Sequence, residues 1–525
     1  MTKNNNDEHI QIKETFFSRK KIFLFLGVIV ISAFIVRIYF LNFEIPLTND
    51  ALNYFFYALD IKINNQIPVN YSPANPGWGI FLSAIFSNFE SQSVIDYMNL
   101  QKMVSVSLSA LTVLPIYFLC KKFFRTSYSL LGALLFGLEP HLIQNSLFGI
   151  SDSLYILLVV ISFLLYLNEN KKMVYISFVI IGFSTIVRAE GIFILFTFLI
   201  MFFVRKNNLK LKITDVIISG LIFSLVFLPM ALIQIESNDG AMAFERLAGT
   251  IEGHTVNPEK STNVTGFAFI LNGIQNFPQY LGWSLIPILL PFAPIGFVLM
   301  FKNWNFKVKT IFTGVILMSI PAFYAYSIPL QDVRYLFFLF PLFVILSLIT
   351  IEKIVEKFNF KIVFVVIVSF VIISSGVYSG LKIDNEQLNQ YSSIAENISK
   401  TPKVINNYNN SEFLEPLNYP KDFSQFEKFY EMEMVDKKSI RYSVDQQISI
   451  IPTLNYNNVK DFIDNNKNTL THIIVENDEK SFLYDIFLNE AEYPYLEKEF
   501  EITSNISDYS VKIFKINYES FLSDL

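Results

Sequence analysis

Long apolar runs recur along the chain between short polar turns, and their lengths predict the architecture before any single residue does. A helix needs about 20 residues to cross roughly 30 Å of hydrocarbon. Runs of that order lie near 21–41, 99–120, 128–148, 152–168, 173–189, 191–204, 213–235, 281–301, 310–328, 333–351 and 361–380. The pattern predicts about eleven transmembrane helices, counted run by run. The run at 191–204 is short, with Arg188 and Glu190 in the turn before it and Arg205 closing it, so it reads as a tilted partner of the run before.

Three segments depart from this pattern. Residues 42–98 are amphipathic and include "YSPANPGWGIFLSAIF", whose prolines, glycines and Trp78 suit a chain that lies in the membrane interface and re-enters it. Residues 236–280 are polar and read as a mobile loop over a site. From 381 to 525 the long apolar runs cease. Short strand-like stretches, "QQISIIPT", "THIIVEN" and "YSVKIFKI", are separated there by helix-like "NVKDFIDNN" and "KSFLYDIFLNEA". Strands interspersed with helices predict a small α/β domain. The expected fold class is therefore an α-helical polytopic membrane protein: a tail at 1–20, a transmembrane domain at 21–380 and a soluble α/β domain at 381–525.

Composition agrees with that class. Of the 525 residues 52% are hydrophobic and 17% charged, where a soluble protein carries roughly a quarter charged. The net charge of −5 gives no basic surface for nucleic acid. Cys120 is the only cysteine, which excludes an intrachain disulfide and a cysteine-based metal site.

Basic residues set the expected orientation. With the N-terminus inside, the inner segments hold Lys20, Lys21, Lys121, Lys122, Arg125, Lys171, Lys172, Arg205, Lys206, Lys210, Lys302, Lys307, Lys353 and Lys357, while the longer outer loops hold few. The positive-inside rule then predicts a cytoplasmic N-terminus and an extracytoplasmic C-terminal domain.

On the predicted outer side a set of polar residues collects at the ends of different runs: Arg37, Asp50, Lys102, Glu139, His141, Asp152, Arg188, Glu190, Asp332 and Arg334. Each alone has an ordinary explanation. Asp50 suits the N-terminal charge of a helix, Asp152 suits a helix cap, Arg188 and Glu190 suit an ion pair across a turn, and His141 suits a satisfied interfacial histidine. Together, cations and carboxylates converging from several spans are what a phosphate-bearing amphiphile requires, with cations for the phosphate and a carboxylate for proton removal.

In order and spacing, "LTNDALNYFFYALD", "SPANPGWGIFLSAI", "EPHLIQNSLFGISDSLYILL", "STIVRAEGIFIL" and "QDVRYLFFLFPLF" resemble the GT-C superfamily of polytopic glycosyltransferases, in particular its protein O-mannosyltransferase and lipid A aminoarabinose transferase branch. The resemblance covers residues 20–380. It implies transfer of a sugar from a polyprenyl-phosphate donor to a hydroxyl of an extracytoplasmic protein or glycolipid, with inversion. Asp50 maps onto the catalytic base, and Arg334 with Tyr335 onto the pair near the lipid phosphate. Arg188 and Lys102 are further candidates for phosphate binding. Many relatives have Asp-Glu where this chain has Asp50 followed by Ala51, so Asp152 and Glu139 are the candidates for a second acid, and Glu190 and Tyr335 for acceptor binding. Acidic D-x-D pairs and the Trp-Trp-Asp motif of oligosaccharyltransferase catalytic subunits do not occur in the expected places, and no metal or other cofactor is expected. The competing class is a transporter or lipid flippase, which would place ionisable residues or helix breaks in the middle of paired spans.

Overall fold

The computed structural model describes residues 18–43, 47, 50–68, 73, 75–91, 94–205, 209–237, 267–328, 332–358, 360–383, 441–443, 448–450, 458–467, 470–477, 482–503 and 510–524. The chain divides into two units. The first combines Met1–Leu41, Leu47–Glu90 and Tyr97–Ile383, and the second combines Asn42–Pro46, Ser91–Asp96 and Asp384–Leu525. The predicted loop over a site falls mostly on 238–266, outside the described residues.

The described part of the first unit is helical. Its elements are α1 (Arg19–Phe40), α2 (Asp50–Asn64), α3 (Gly77–Phe86), α4 (Val94–Leu111), α5 (Val113–Cys120), α6 (Thr126–Gly137), α7 (Pro140–Leu147), α8 (Asp152–Tyr166), α9 (Lys171–Val187), α10 (Gly191–Arg205) and α11 (Leu209–Ser237). They continue with α12 (Phe267–Leu285), α13 (Ala293–Leu299), α14 (Phe306–Met318), α15 (Ile320–Ser327), α16 (Phe340–Lys357) and α17 (Phe360–Lys382). Among the described residues, six stretches are long and apolar enough to cross a membrane: Arg19–Phe40, Ile95–Cys120, Lys212–Ile235, Phe306–Ser327, Val333–Lys357 and Lys361–Lys382.

Several predicted runs are pairs of shorter helices, and proline accounts for the breaks. The run at 128–148 divides into α6 and α7 at Glu139, because Pro140 supplies no N–H and fits only the first turn of a new helix. Pro115 opposes the carbonyl four residues before it, and α4 gives way to α5 at Thr112. Pro321 likewise stands in the first turn of α15.

Burial sorts the helices. Within Val333–Lys357 83% of the most apolar window is buried, against 17% in Arg19–Phe40 and 22% in both Lys212–Ile235 and Lys361–Lys382. The α16 stretch is the centre of the bundle, and α1, α11 and α17 present apolar side chains such as Leu24, Leu225 and Val365 outward, as helices bathed in lipid do. Around the centre α8 packs on α9, α9 on α11, α10 on α14, α12 on α15 and α13 on α16.

The second unit contains two antiparallel sheets. Strand β1 (Arg441–Ser443) pairs with β2 (Ile448–Ile450). In the other sheet β5 (Ser510–Ile516) lies between β3 (His472–Glu476) and β4 (Leu496–Thr503). Ile473 sits opposite Phe514, and Leu496 opposite Ile516. Alternate residues Ile473, Val475, Phe514 and Ile516 are buried, against Phe462 and Ile463 of α18 (Val459–Asn465), Ile486 of α19 (Tyr484–Leu488) and Phe521 of α20 (Tyr518–Asp524). This is the expected period of two along a half-buried strand.

Candidate functional site

Five chain segments of the first unit meet around the turn between α9 and α10. Helix α9 ends at Arg188, whose extended backbone (φ −151°, ψ 129°) breaks the helix, and Gly191 opens α10. In that turn Arg188 holds two carboxylates. One guanidinium nitrogen, Nη1, donates to Asp152 Oδ1. The opposite edge takes Glu190 with two contacts, Nη2 to Oε1 at 2.7 Å and Nε to Oε2 at 3.4 Å. Asp152 is the first residue of α8, and its side chain does not cap that helix. Its second oxygen accepts a hydrogen bond from Asn145 Nδ2 of α7 at 3.1 Å. The Tyr155 ring lies under the guanidinium, 5.9 Å from its carbon, within cation–π range.

Other candidates come to the same place from different elements. Tyr54, on α2 one turn beyond Asp50, lies within electrostatic range of Arg188. Tyr335 lies within the same range of Arg188, Glu190, Asp332 and Arg334. Asp332 organises that last segment, accepting from the Arg334 backbone N–H at 2.8 Å and from Arg334 Nε at 2.6 Å.

Gln101 of α4 ties the rest together. Its Nε2 donates to the carbonyl of Ala51, one residue beyond Asp50, at 3.0 Å and to the carbonyl of Gly149 at 2.8 Å. Gly149 lies three residues before Asp152 and has φ +70°, a conformation that favours glycine. Lys102, next to Gln101, is buried with Nζ 3.5 Å from Asn99 Oδ1. Asp50 opens α2, and its side chain lies outside the described residues.

The "SPANPGWG" motif holds the segment between α2 and α3 onto this cluster. Asn75 Oδ1 accepts from the Ala189 N–H at 3.2 Å, Pro73 O accepts from Gln234 Nε2 at 3.3 Å, and Trp78 donates its indole N–H to Gly149 O at 2.9 Å. Gly77 packs backbone to backbone on α9, where a Cβ would stand 2.7 Å from Val187 N. Trp78 is completely buried within the protein, with its indole N–H paired to Gly149.

Glu139 stands elsewhere. It is buried at the N-terminus of α7, where it accepts from the His141 N–H at 3.4 Å, and its Oε2 has no hydrogen-bond partner. His141 Nε2 is 2.9 Å from Ile286 O and 3.5 Å from Tyr378 OH. The described contacts bring Asp152, Arg188 and Glu190 together and tie the start of α2 and the Gln101–Lys102 turn of α4 to the Gly149 turn before Asp152, with Tyr335 nearby and Glu139 in none of these contacts. Sequence reasoning missed Asn145, Tyr155 and Gln101. The available signal was their polarity inside otherwise apolar runs. Among the described residues no group of three or more His, Cys, Asp or Glu side chains is placed to hold a metal.

Residues 99–411 match the profile of a family described as predicted membrane protein, DUF2079. The chain belongs to this family. No curated protein sequence matches it. The fold is shared with solved membrane enzymes at low identity. ArnT from Cupriavidus metallidurans bound to undecaprenyl phosphate is 11% identical with a TM-score of 0.54, over 96% of this chain and 99% of that one. The oligosaccharyltransferase AglB from Archaeoglobus fulgidus, in complex with an inhibitory peptide and a dolichol-phosphate, is 12% identical with a TM-score of 0.55, over 94% of this chain and 74% of that one. Against the apo form of the A. fulgidus oligosaccharyltransferase the TM-score is 0.52 at 12% identity, over 74% of this chain. In that and two further structures of the enzyme, the chain spans 56–59% of their length. The DUF2079 chain is thus a multi-pass membrane protein that shares its fold with ArnT and AglB.

Proposed function

We propose that this protein is a membrane glycosyltransferase that moves a sugar from a polyprenyl-phosphate donor to a hydroxyl of an extracytoplasmic protein or glycolipid, with inversion. The observation that carries the reading is the convergence of the first turn of α2, the Gln101–Lys102 turn of α4, Asp152, Arg188 and Tyr335 on one place, within a fold shared along nearly the whole length of ArnT bound to undecaprenyl phosphate. Fold alone does not assign chemistry. The chemistry is argued from the residue types that meet.

In this reading Asp50 takes the proton of the acceptor hydroxyl as oxygen attacks the anomeric carbon. The polyprenyl phosphate leaves from the opposite face with the bonding electrons. Departure of a phosphate needs positive charge more than a proton, and Arg188, Arg334 and Lys102 supply it. Asp152 and Glu190 orient Arg188, Tyr335 helps to hold the acceptor, and no cofactor enters. The uneven distribution of Lys and Arg among the loops supports a cytoplasmic N-terminus with residues 381–525 outside.

The deciding experiment is Asp50→Asn, assayed in detergent with polyprenyl-phosphate sugars extracted from the source membrane. The change keeps size and helix-capping ability and removes basicity. Loss of a general base lowers turnover by roughly 10²–10⁴-fold while donor binding persists. Near-parental turnover of a well-folded variant would end the assignment of Asp50.

A further inference from the structure

The two carboxylates on Arg188 are held differently, and the difference bears on how a phosphate reaches the guanidinium. Asp152 is the fixed partner. Its side chain is 6% exposed, its second oxygen is held by Asn145 Nδ2, and it contacts Nη1 alone. Glu190 is the more exposed one. It lies on a two-residue turn, is 16% exposed like Arg188 itself, and covers the Nε/Nη2 edge with both oxygens. That edge is the one a guanidinium offers to a phosphate, because its two parallel N–H groups match two oxygens of a tetrahedral anion as well as those of a carboxylate.

We infer that Glu190 is a placeholder for the donor phosphate: it occupies the bidentate edge of Arg188 in the resting site and gives it up when the lipid monophosphate arrives, while Asp152 keeps the guanidinium in place. The inference rests on the glycosyltransferase reading and adds to it the order of ligands on Arg188. It assigns the two acids opposite parts. Glu190 competes with the phosphate, and Asp152 positions the cation that receives it. A site built this way keeps its arginine charged and oriented without a ligand, at the cost of weaker donor binding. It also lets the product phosphate go, because Glu190 returns to the edge it left.

The test measures binding of undecaprenyl phosphate to the full-length protein in detergent, by native mass spectrometry or tryptophan quenching, across variants. Glu190→Gln removes the competing charge and binds the monophosphate about tenfold more tightly than the parent, the ratio that 1.4 kcal/mol of released competition produces. Asp152→Asn weakens binding, because the guanidinium loses its fixed partner. Should Glu190→Gln fold poorly, Glu190→Asp carries the test. Its shorter side chain withdraws from the edge but keeps the charge, and binding tighter than the parental value is expected. Equal or weaker binding by a folded Glu190 variant, when the parent binds, would overturn the placeholder role and leave Glu190 as a structural brace. A folded parent that binds no polyprenyl phosphate at all would overturn the glycosyltransferase reading itself.

Discussion

Two arginines sit deep in the membrane unit, and their surroundings differ. Arg37, in the last turn of α1, is wholly buried. Its Nε donates to Ser109 Oγ at 3.1 Å and its Nη1 to the carbonyls of Ala33 at 2.9 Å and Gly137 at 2.8 Å. Among the described residues no carboxylate shares its hydrogen bonds. It is a cross-tie: neutral oxygens from three helices meet on Nε and Nη1, and Nη2 is buried without a hydrogen-bond partner among the described residues. Arg188 is bound by two carboxylates from two elements and keeps 16% of its side chain accessible. An arginine paired with carboxylates at a partly exposed edge has ionic partners to exchange, and one held by neutral oxygens in full burial has none. The contrast separates an arginine held wholly by neutral groups from one held by two acids, and the proposed function gives a chemical part to the second alone.

The largest expected effect lies on the Arg188 side. Arg188→Gln leaves Asp152 and Glu190 facing each other without their cation. Breaking a buried pair by removing one partner costs about 3–5 kcal/mol, and losing a preorganised charge at the reacting centre costs on the order of 10²–10³ in turnover. Sugar transfer per folded molecule should therefore collapse, measured with lipid-linked donor in detergent. Transfer that persisted would reduce Arg188 to the same structural rank as Arg37.

Arg37→Met should do the reverse. The apolar chain fills the same channel between α1, α4 and α6 but abandons three hydrogen bonds, at a cost on the order of 1–3 kcal/mol. A lower melting temperature in detergent with unchanged turnover per folded molecule is expected. A selective loss of turnover would show that the cross-tie reaches the site.

The smallest effect belongs to a third cluster, in the second unit, where water does most of the work. Glu490 takes Lys512 at 2.6 Å and Lys498 at 3.0 Å, with about a third of its side chain exposed. The hydrogen bond from Lys512, followed by that from Lys498, holds the Glu490 carboxyl below its ordinary value of 4.5. A carboxyl whose folded value is depressed adds stability fully above the unfolded value and loses it as pH falls. Glu490→Gln should thus cost less than about 1 kcal/mol at neutral pH, as exposed pairs do, and the deficit should fade below about pH 4.5. Thermal melts of parent and variant across that range check both the size and the direction. An effect as large as that of Arg188 would mean that exposure is a poor guide to which ion pairs matter.

Much of this was legible in the sequence. The runs "THIIVEN" and "YSVKIFKI" became β3 and β5 because alternating β-branched and aromatic residues suit a half-buried strand. Strand β4, "LEKEFEIT", was hidden by its charges, which a strand at the edge of a sheet can point into solvent. The ion pair of Arg188 with Glu190 was readable from their spacing, but the bond to Asp152 was not, because it joins residues 36 positions apart. Asn145 was hidden for the same reason: its meaning lies in the direction its amide faces, which depends on the break at Pro140 that turns α7. The partner of Trp78 was hidden likewise, because Gly149 supplies its acceptor from 71 residues away.

The contact of Gly77 with the backbone at Val187 also governs the order in which the molecule is built. Chains are made from the N-terminus onward, so residues 73–78 leave the ribosome well before α9 and before Gln234 of α11. Trp78 meets Gly149 ahead of α9, but the segment's other partners, the backbone of Ile186 and Val187, the amide of Ala189 and the side chain of Gln234, are made later. During biogenesis these contacts therefore wait, and they are complete only when the eighth decade of the chain meets the nineteenth and Gln234.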